Sequence, residues 1–168
     1  ESIKARLTSR VFNQLSSTEA GEVAFTELIT PEDHRWQKLV PDRAIEIVDE
    51  FDQPVPVGET GRMRIDALGG LDCYLHDEEA SREFFKDGYF YPGDLAMLRP
   101  DGRLALEGRV TEIINMRGRK LSPALIEDRL ADALEVRGVC MFSMQNEKGE
   151  EELHVVVETE SSIAPERL

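Results

Sequence analysis

Apolar and polar positions change their spacing several times along this chain, and each change marks an element. Residues 3–15 (IKARLTSRVFNQL) fit a helix or a strand, and the pattern does not decide between them. A polar turn, SSTEAG, then feeds an apolar run, and TPEDHRWQKLVPD reads as a loop punctuated by Pro31 and Pro41. From Arg43 the spacing becomes alternation. Ile45, Ile47 and Phe51 set against Glu46, Asp49 and Glu50 predict a half-buried strand, and Met63 and Ile65 repeat the pattern within Gly61–Leu68. The segment HDEEASREFF predicts a short helix capped by Asp77, with acidic residues in its first turn. LAMLRPDGRLALEG predicts a hairpin. Its turn, Pro100-Asp101-Gly102, supplies a preset φ and a left-handed position.

The last third changes style. Val110–Met116 predicts a strand, and Ser122 and Pro123 then have the order of an N-cap and a first helical residue. Leu121 and Ile126 have the spacing of a hydrophobic staple. Ile126, Leu130, Ala133 and Leu134 form an apolar stripe, with Glu127, Asp128, Arg129 and Asp132 expected to face outward. Two strands, Gly138–Met144 and Glu152–Glu158, follow around a turn at Asn146–Glu150. The fold class is therefore α+β: a strand-rich first part, then β-α-β-β, with the composition shifting near residue 109.

Composition narrows the classes. In 168 residues, 40% are hydrophobic and 32% charged, as in a globular domain, and the net charge is −14. Such a surface repels nucleic acid and anionic membranes, so neither is expected as a partner. Apolar runs such as Val139–Phe142 and Val155–Val157 are far too short to span a bilayer. Cys73 and Cys140 show no paired or metal-ligand spacing and are expected as buried free thiols in a reducing, cytoplasmic setting. Glu1 at the start and SSIAPERL at the end read as cuts in a longer reading frame.

Three clusters carry candidate chemistry. In SSTEAG a hydroxyl beside a carboxylate suits a phosphate–magnesium unit, although spacing alone favours an exposed turn that caps itself. In PGDL, Gly93 permits close approach and Asp94 can accept two hydroxyl hydrogen bonds from a sugar, or simply satisfy local N–H groups. Residues 108–120 carry Arg109, Arg117, Arg119 and Lys120 against Glu112, a net +3 on an acidic chain. A solvated basic loop and an anion site are both open there.

Taken in order, these pieces resemble the adenylate-forming superfamily of acyl-CoA synthetases, peptide-synthetase adenylation domains and luciferases. SSTEAG resembles its Tyr-Gly-x-Thr-Glu segment, and VPVGETGRMRI its Gly-Glu-x-Gly-Glu strand. DGYFYPGDLA resembles Tyr-x-Thr-Gly-Asp, and LEGRVTEIINMRGRKLSPALIED the Gly-Arg-x-Asp hinge segment. Leu15 and Ser16, Pro92 and Thr111 depart from those patterns, and Asn115 is closer to the acyl-CoA synthetase style.

The resemblance implies a carboxylic acid–thiol ligase that uses ATP and Mg2+ to form an acyl-adenylate. It then passes the acyl group to coenzyme A or to the phosphopantetheine of a carrier protein. Thr18 would contact phosphate, Glu19 would ligate Mg2+, and Asp94 and Arg109 would hold the ribose. Thr111 would be the hinge, and Gly118, Arg119 and Lys120 would line the thiol channel. Residues 1–110 would be the C-terminal part of the large domain with its small β-barrel, and 111–168 the start of a mobile, truncated cap. The family's phosphate loop and its adenylation lysine match nothing in the chain, so no catalytic residue is assigned and the segment alone is expected to be inactive. The competing expectation is a remnant that has lost catalysis and serves as a binding or scaffolding module.

Overall fold

The computed structural model describes residues 8–67, 70–116, 119–146 and 149–159; at positions 115, 116, 119, 120 and 125 it describes the backbone only. The chain divides into two compact units, Glu1–Leu106 and Glu107–Leu168.

In the first unit the undecided N-terminal segment becomes a strand from Phe12, its residues 3–7 lying outside the described residues. β1 (Phe12–Ser17) pairs antiparallel with β2 (Gly21–Glu27), with a register shift between Leu15 and Ser16. Val23, Ala24 and Thr26 of β2 are buried. The Thr26 hydroxyl accepts the Lys38 amide at 2.6 Å, which ties the hairpin to β3 (Gln37–Lys38). The loop expected before β3 contains one 3-10 turn, Pro31–His34. Its Asp33 is buried and accepts from the amides of Ile29 and Thr30, the Thr30 hydroxyl and the Arg103 guanidinium.

β4 (Ile45–Val48) pairs with β5 (Thr60–Asp66), and Met63 and Ile65 point into the core as their alternation requires. Phe51 does not continue β4. It stands 74% exposed on a turn where Asp49 Oδ1 accepts the amides of Phe51 and Gln53, so the alternation outlasts the strand. Asp77 caps α1 (Glu78–Phe84) through the amide of Ala80, as expected. β6 (Phe85–Lys86), β7 (Tyr89–Phe90), β8 (Asp94–Leu98) and β9 (Arg103–Arg109) complete the sheet. β8 and β9 are joined by the expected turn, with Gly102 at φ +79°. The strand order is β3-β9-β8-β5-β7-β6 with β4 beside β5, and no closed barrel is formed among the described residues. Val23, Ile47, Met63, Ile65, Phe90, Ala96 and Leu104 form the core.

In the second unit a 3-10 turn, Val110–Glu112, occupies the beginning of the expected Val110–Met116 strand. The strand proper is β10 (Ile114–Met116), and it pairs with an unexpected β11 (Arg119–Leu121). α2 (Pro123–Leu134) starts at Pro123, but Ser122 does not cap it with its side chain. Its hydroxyl instead donates to the Glu107 carbonyl oxygen. Gly108 makes room for that contact: a Cβ there would lie 2.7 Å from the Ser122 oxygen, on a backbone at φ +130°. Ala133 is exposed rather than part of the apolar stripe, and Glu127 turns inward to accept the Met141 amide at 2.7 Å. β12 (Gly138–Gln145) and β13 (Glu151–Glu158) pair as expected. Cys73 and Cys140 are free but exposed, which corrects the expectation of burial. A hydrogen bond with Asp72 raises the Cys73 pKa and keeps it in the thiol form. Among the described residues no helix is long and apolar enough to cross a membrane.

Candidate functional site

The turn between β1 and β2 is built for a close reversal. Ser17 and Gly21 face each other, the Ala20 amide donates to the Ser17 hydroxyl at 3.0 Å, and Gly21 takes φ +68°. Thr18 and Glu19 therefore sit side by side at its tip, Thr18 exposed and Glu19 half-buried. Glu19 is held from far along the chain. The Tyr74 hydroxyl donates to its Oε1 at 2.7 Å across 55 positions. That bond, first among its causes, holds the Glu19 carboxyl below the usual range, while burial and the same bond push the Tyr74 phenol up to about 12.

Tyr74 is itself well braced. Its ring meets Phe84 and Phe85 edge-on at 6.1 and 5.3 Å, Phe85 packs on the buried Phe90 at 5.2 Å, and its amide donates to the Ser81 hydroxyl. Glu19 is thus coupled through one phenol to the hydrophobic core. Among the described residues no three acidic, histidine or cysteine side chains gather into a metal cage. An ionised carboxylate beside a hydroxyl suits a Mg2+ that draws its remaining ligands from phosphate and water.

Asp94 opens β8, half-buried, directly after Gly93 at φ +81°. The residues leading into it are anchored by a polar network. The Tyr91 hydroxyl bonds to Asp52, and Arg64 reaches both that hydroxyl and Glu46. Tyr89 donates to Glu46 at 3.1 Å, Lys86 pairs with Asp52, and the Arg64 guanidinium lies 4.1 Å from the Tyr89 ring centroid. Arg64 lowers the Glu46 pKa and Lys86 that of Asp52, each chiefly through its hydrogen bond. Arg109 is the exposed last residue of β9, and Thr111 is exposed in the following 3-10 turn. Arg119 and Lys120 lie in β11, and Gly118 lies outside the described residues. A separate open cleft of about 730 Å³, lined in part by Glu27, Asp33, Lys38 and Arg103, contains none of the expected site residues.

No family model matches the chain. Pseudomonine synthase PmsE from Pseudomonas entomophila is 34% identical over 128 residues, covering 73% of this chain and 20% of that protein. 4-Hydroxybutyrate–CoA ligase 2 from Metallosphaera sedula is 30% identical over 125 residues, covering 71% of this chain and 22% of that protein. ATP-bound MatB from Rhodopseudomonas palustris shares the fold with a TM-score of 0.81 at 19% identity, over 96% of this chain and 33% of that one. The curated relatives and solved structures that the chain matches are adenylate-forming enzymes. The chain spans about a fifth of the length of those two curated relatives and a third of that solved structure.

In this chain, sequence reasoning found the Thr18–Glu19 turn and the Asp94 strand but not what supports either. Tyr74 follows an unremarkable LDC and gives no local sign of reaching Glu19. Arg62 and Arg64 read only as the polar half of an alternating strand. Nothing near them in the sequence names Asp52 or Tyr91 as partners.

Proposed function

We propose that this chain is part of an ATP-dependent carboxylic acid–thiol ligase of the acyl- or aryl-CoA synthetase kind. On this reading, residues 1–110 are the C-terminal part of the large domain, including a small barrel-like subdomain, and residues 111–168 begin the mobile cap. The observation that carries the proposal is the braced carboxylate of Glu19, ionised beside the Thr18 hydroxyl at a tight turn, in a chain whose curated relatives include CoA ligases.

Glu19 would hold Mg2+ and Thr18 a phosphate oxygen, while Asp94 and Arg109 would accept from and donate to the two ribose hydroxyls. The cation would neutralise charge on the triphosphate. The acid's carboxylate attacks the α-phosphorus, pyrophosphate departs, and a thiol then displaces AMP from the acyl-adenylate. Gly118, Arg119 and Lys120 would line the approach of coenzyme A or a carrier arm, their cations meeting its phosphates. Thr111 would be the pivot between the two half-reactions. A cytoplasmic setting suits these substrates.

The test is carboxylate-dependent ATP–pyrophosphate exchange by the complete enzyme carrying this chain. Exchange is expected with at least one member of a broad acid panel. None with any acid overturns the proposal. In the same enzyme Thr111→Pro should depress one half-reaction far more than the other, because it fixes φ at the pivot. Equal loss removes residue 111 from that role.

A further inference from the structure

The geometry points to Tyr74 as a positioning residue for Glu19, holding that carboxylate in place for a divalent cation bound with the phosphates of ATP. This inference rests on the reading of Glu19 as the metal ligand and adds a residue to it. A glutamate on a tight turn is joined to its backbone by three rotatable bonds, and ordering it costs entropy at the moment a cation binds. Here the ordering is done beforehand. The Tyr74 phenol donates to Oε1 at 2.7 Å, and a carboxylate that accepts one such bond keeps acceptor capacity for a metal.

The phenol is itself fixed. Phe84 and Phe85 grip the ring edge-on, Phe85 rests on buried Phe90, and the Tyr74 amide is tied to Ser81. α1 therefore has a use beyond packing: its last residue, Phe84, and the start of β6 form the mount for Tyr74. The backbone closes in from the same region, since a Cβ on Gly70 would lie 3.0 Å from the Glu19 carbonyl oxygen. The segment that carries Tyr74 thus touches the Glu19 turn through both side chain and main chain. Such outer partners of metal-binding carboxylates orient the ligand, and removing one weakens metal binding about 10- to 100-fold.

The experiment uses the complete enzyme and the variants Y74F, E19Q and the double variant. Mn2+ affinity is measured directly by electron paramagnetic resonance with a non-hydrolysable ATP analogue present, and the analogue's own affinity is measured without metal. Y74F keeps the ring between Phe84 and Phe85 and loses only the donor. It is expected to weaken Mn2+ binding about tenfold, to leave the metal-free affinity for the analogue unchanged, and to melt within a few degrees of the wild type. In the E19Q background Y74F should add no further loss, because the two act through one carboxylate. Wild-type Mn2+ affinity in E19Q overturns the reading of Glu19 itself. Weakened binding in E19Q with wild-type binding in Y74F overturns only the role of Tyr74. So does strict additivity of the two effects.

Discussion

The two units place their apolar residues in different ways. Of the buried hydrophobic side chains among the described residues, ten lie in the first unit and only Ile114 and Met141 in the second. The first unit folds its strands around a shared centre. In the second, Val155 and Val156 of the β12–β13 pair stand 46% and 55% exposed. The charged groups divide in the same direction. Glu19, Asp33, Glu46 and Asp52 are all held ionised by hydrogen bonds, and all belong to the first unit. A large core accompanied by braced carboxylates makes a firm platform, and that is where Glu19 and Asp94 sit.

Acid should break this contrast most severely. A carboxyl whose folded pKa lies below its unfolded value contributes stability above the unfolded pKa, about 4, and loses it as pH falls through the folded one. Four such groups place that loss in the first unit, below about pH 4. Trp36, in the same unit, should report it by fluorescence at a higher pH than that at which Glu46→Gln/Asp52→Asn unfolds relative to its own neutral-pH stability. An identical acid profile in that double variant would show that the network does not contribute.

Next in size is Met63→Ala, at 2% exposure in the centre of the first core. It should cost about 2–5 kcal/mol in denaturant unfolding. Met141→Ala should fall at or below the bottom of that range, and an equal cost at the two sites would erase the distinction between the units. Gly61→Ala comes third. A Cβ there would stand 2.5 Å from the Val48 carbonyl oxygen and 2.9 Å from Ile47 Cγ2, so β4 must shift at a cost of about 1–3 kcal/mol. Smallest is Val156→Thr, on the exposed face of β13, expected within about 0.5 kcal/mol of the wild type. The same exchange at fully buried Val48 forces a hydroxyl into the core and should cost about 1–3 kcal/mol, which sharpens the comparison with one chemical change.

Elements with period-two spacing and clear turn residues were legible in the sequence. Met63 and Ile65, the Asp101-Gly102 turn and the Asp77 cap follow from local rules that the tertiary fold leaves undisturbed. What was missed depends on distant contacts. Ser122 has the local order of a cap, but the Glu107 carbonyl, 15 positions earlier, takes its hydroxyl instead. Glu127 reads as surface until the Met141 amide claims it. Phe51 continues an alternation whose strand has already ended at Val48. Of the candidate site, Thr18, Glu19 and Asp94 stood out by residue type, and their proposed roles came from a family resemblance in linear motifs. Tyr74, which no motif names, came only from the folded chain.

The 55-position bridge between Tyr74 and Glu19 has a practical consequence for anyone recombining this chain with its relatives. A crossover placed between residues 22 and 70 would inherit the acidic turn from one parent and its phenolic clamp from the other. Where the second parent lacks a tyrosine at the matching position, such a hybrid would fold with the Glu19 carboxylate unbraced and, on the proposed role of Glu19, would hold its cation loosely. Breakpoints upstream of Ser16 or downstream of Phe85 would transfer both halves together.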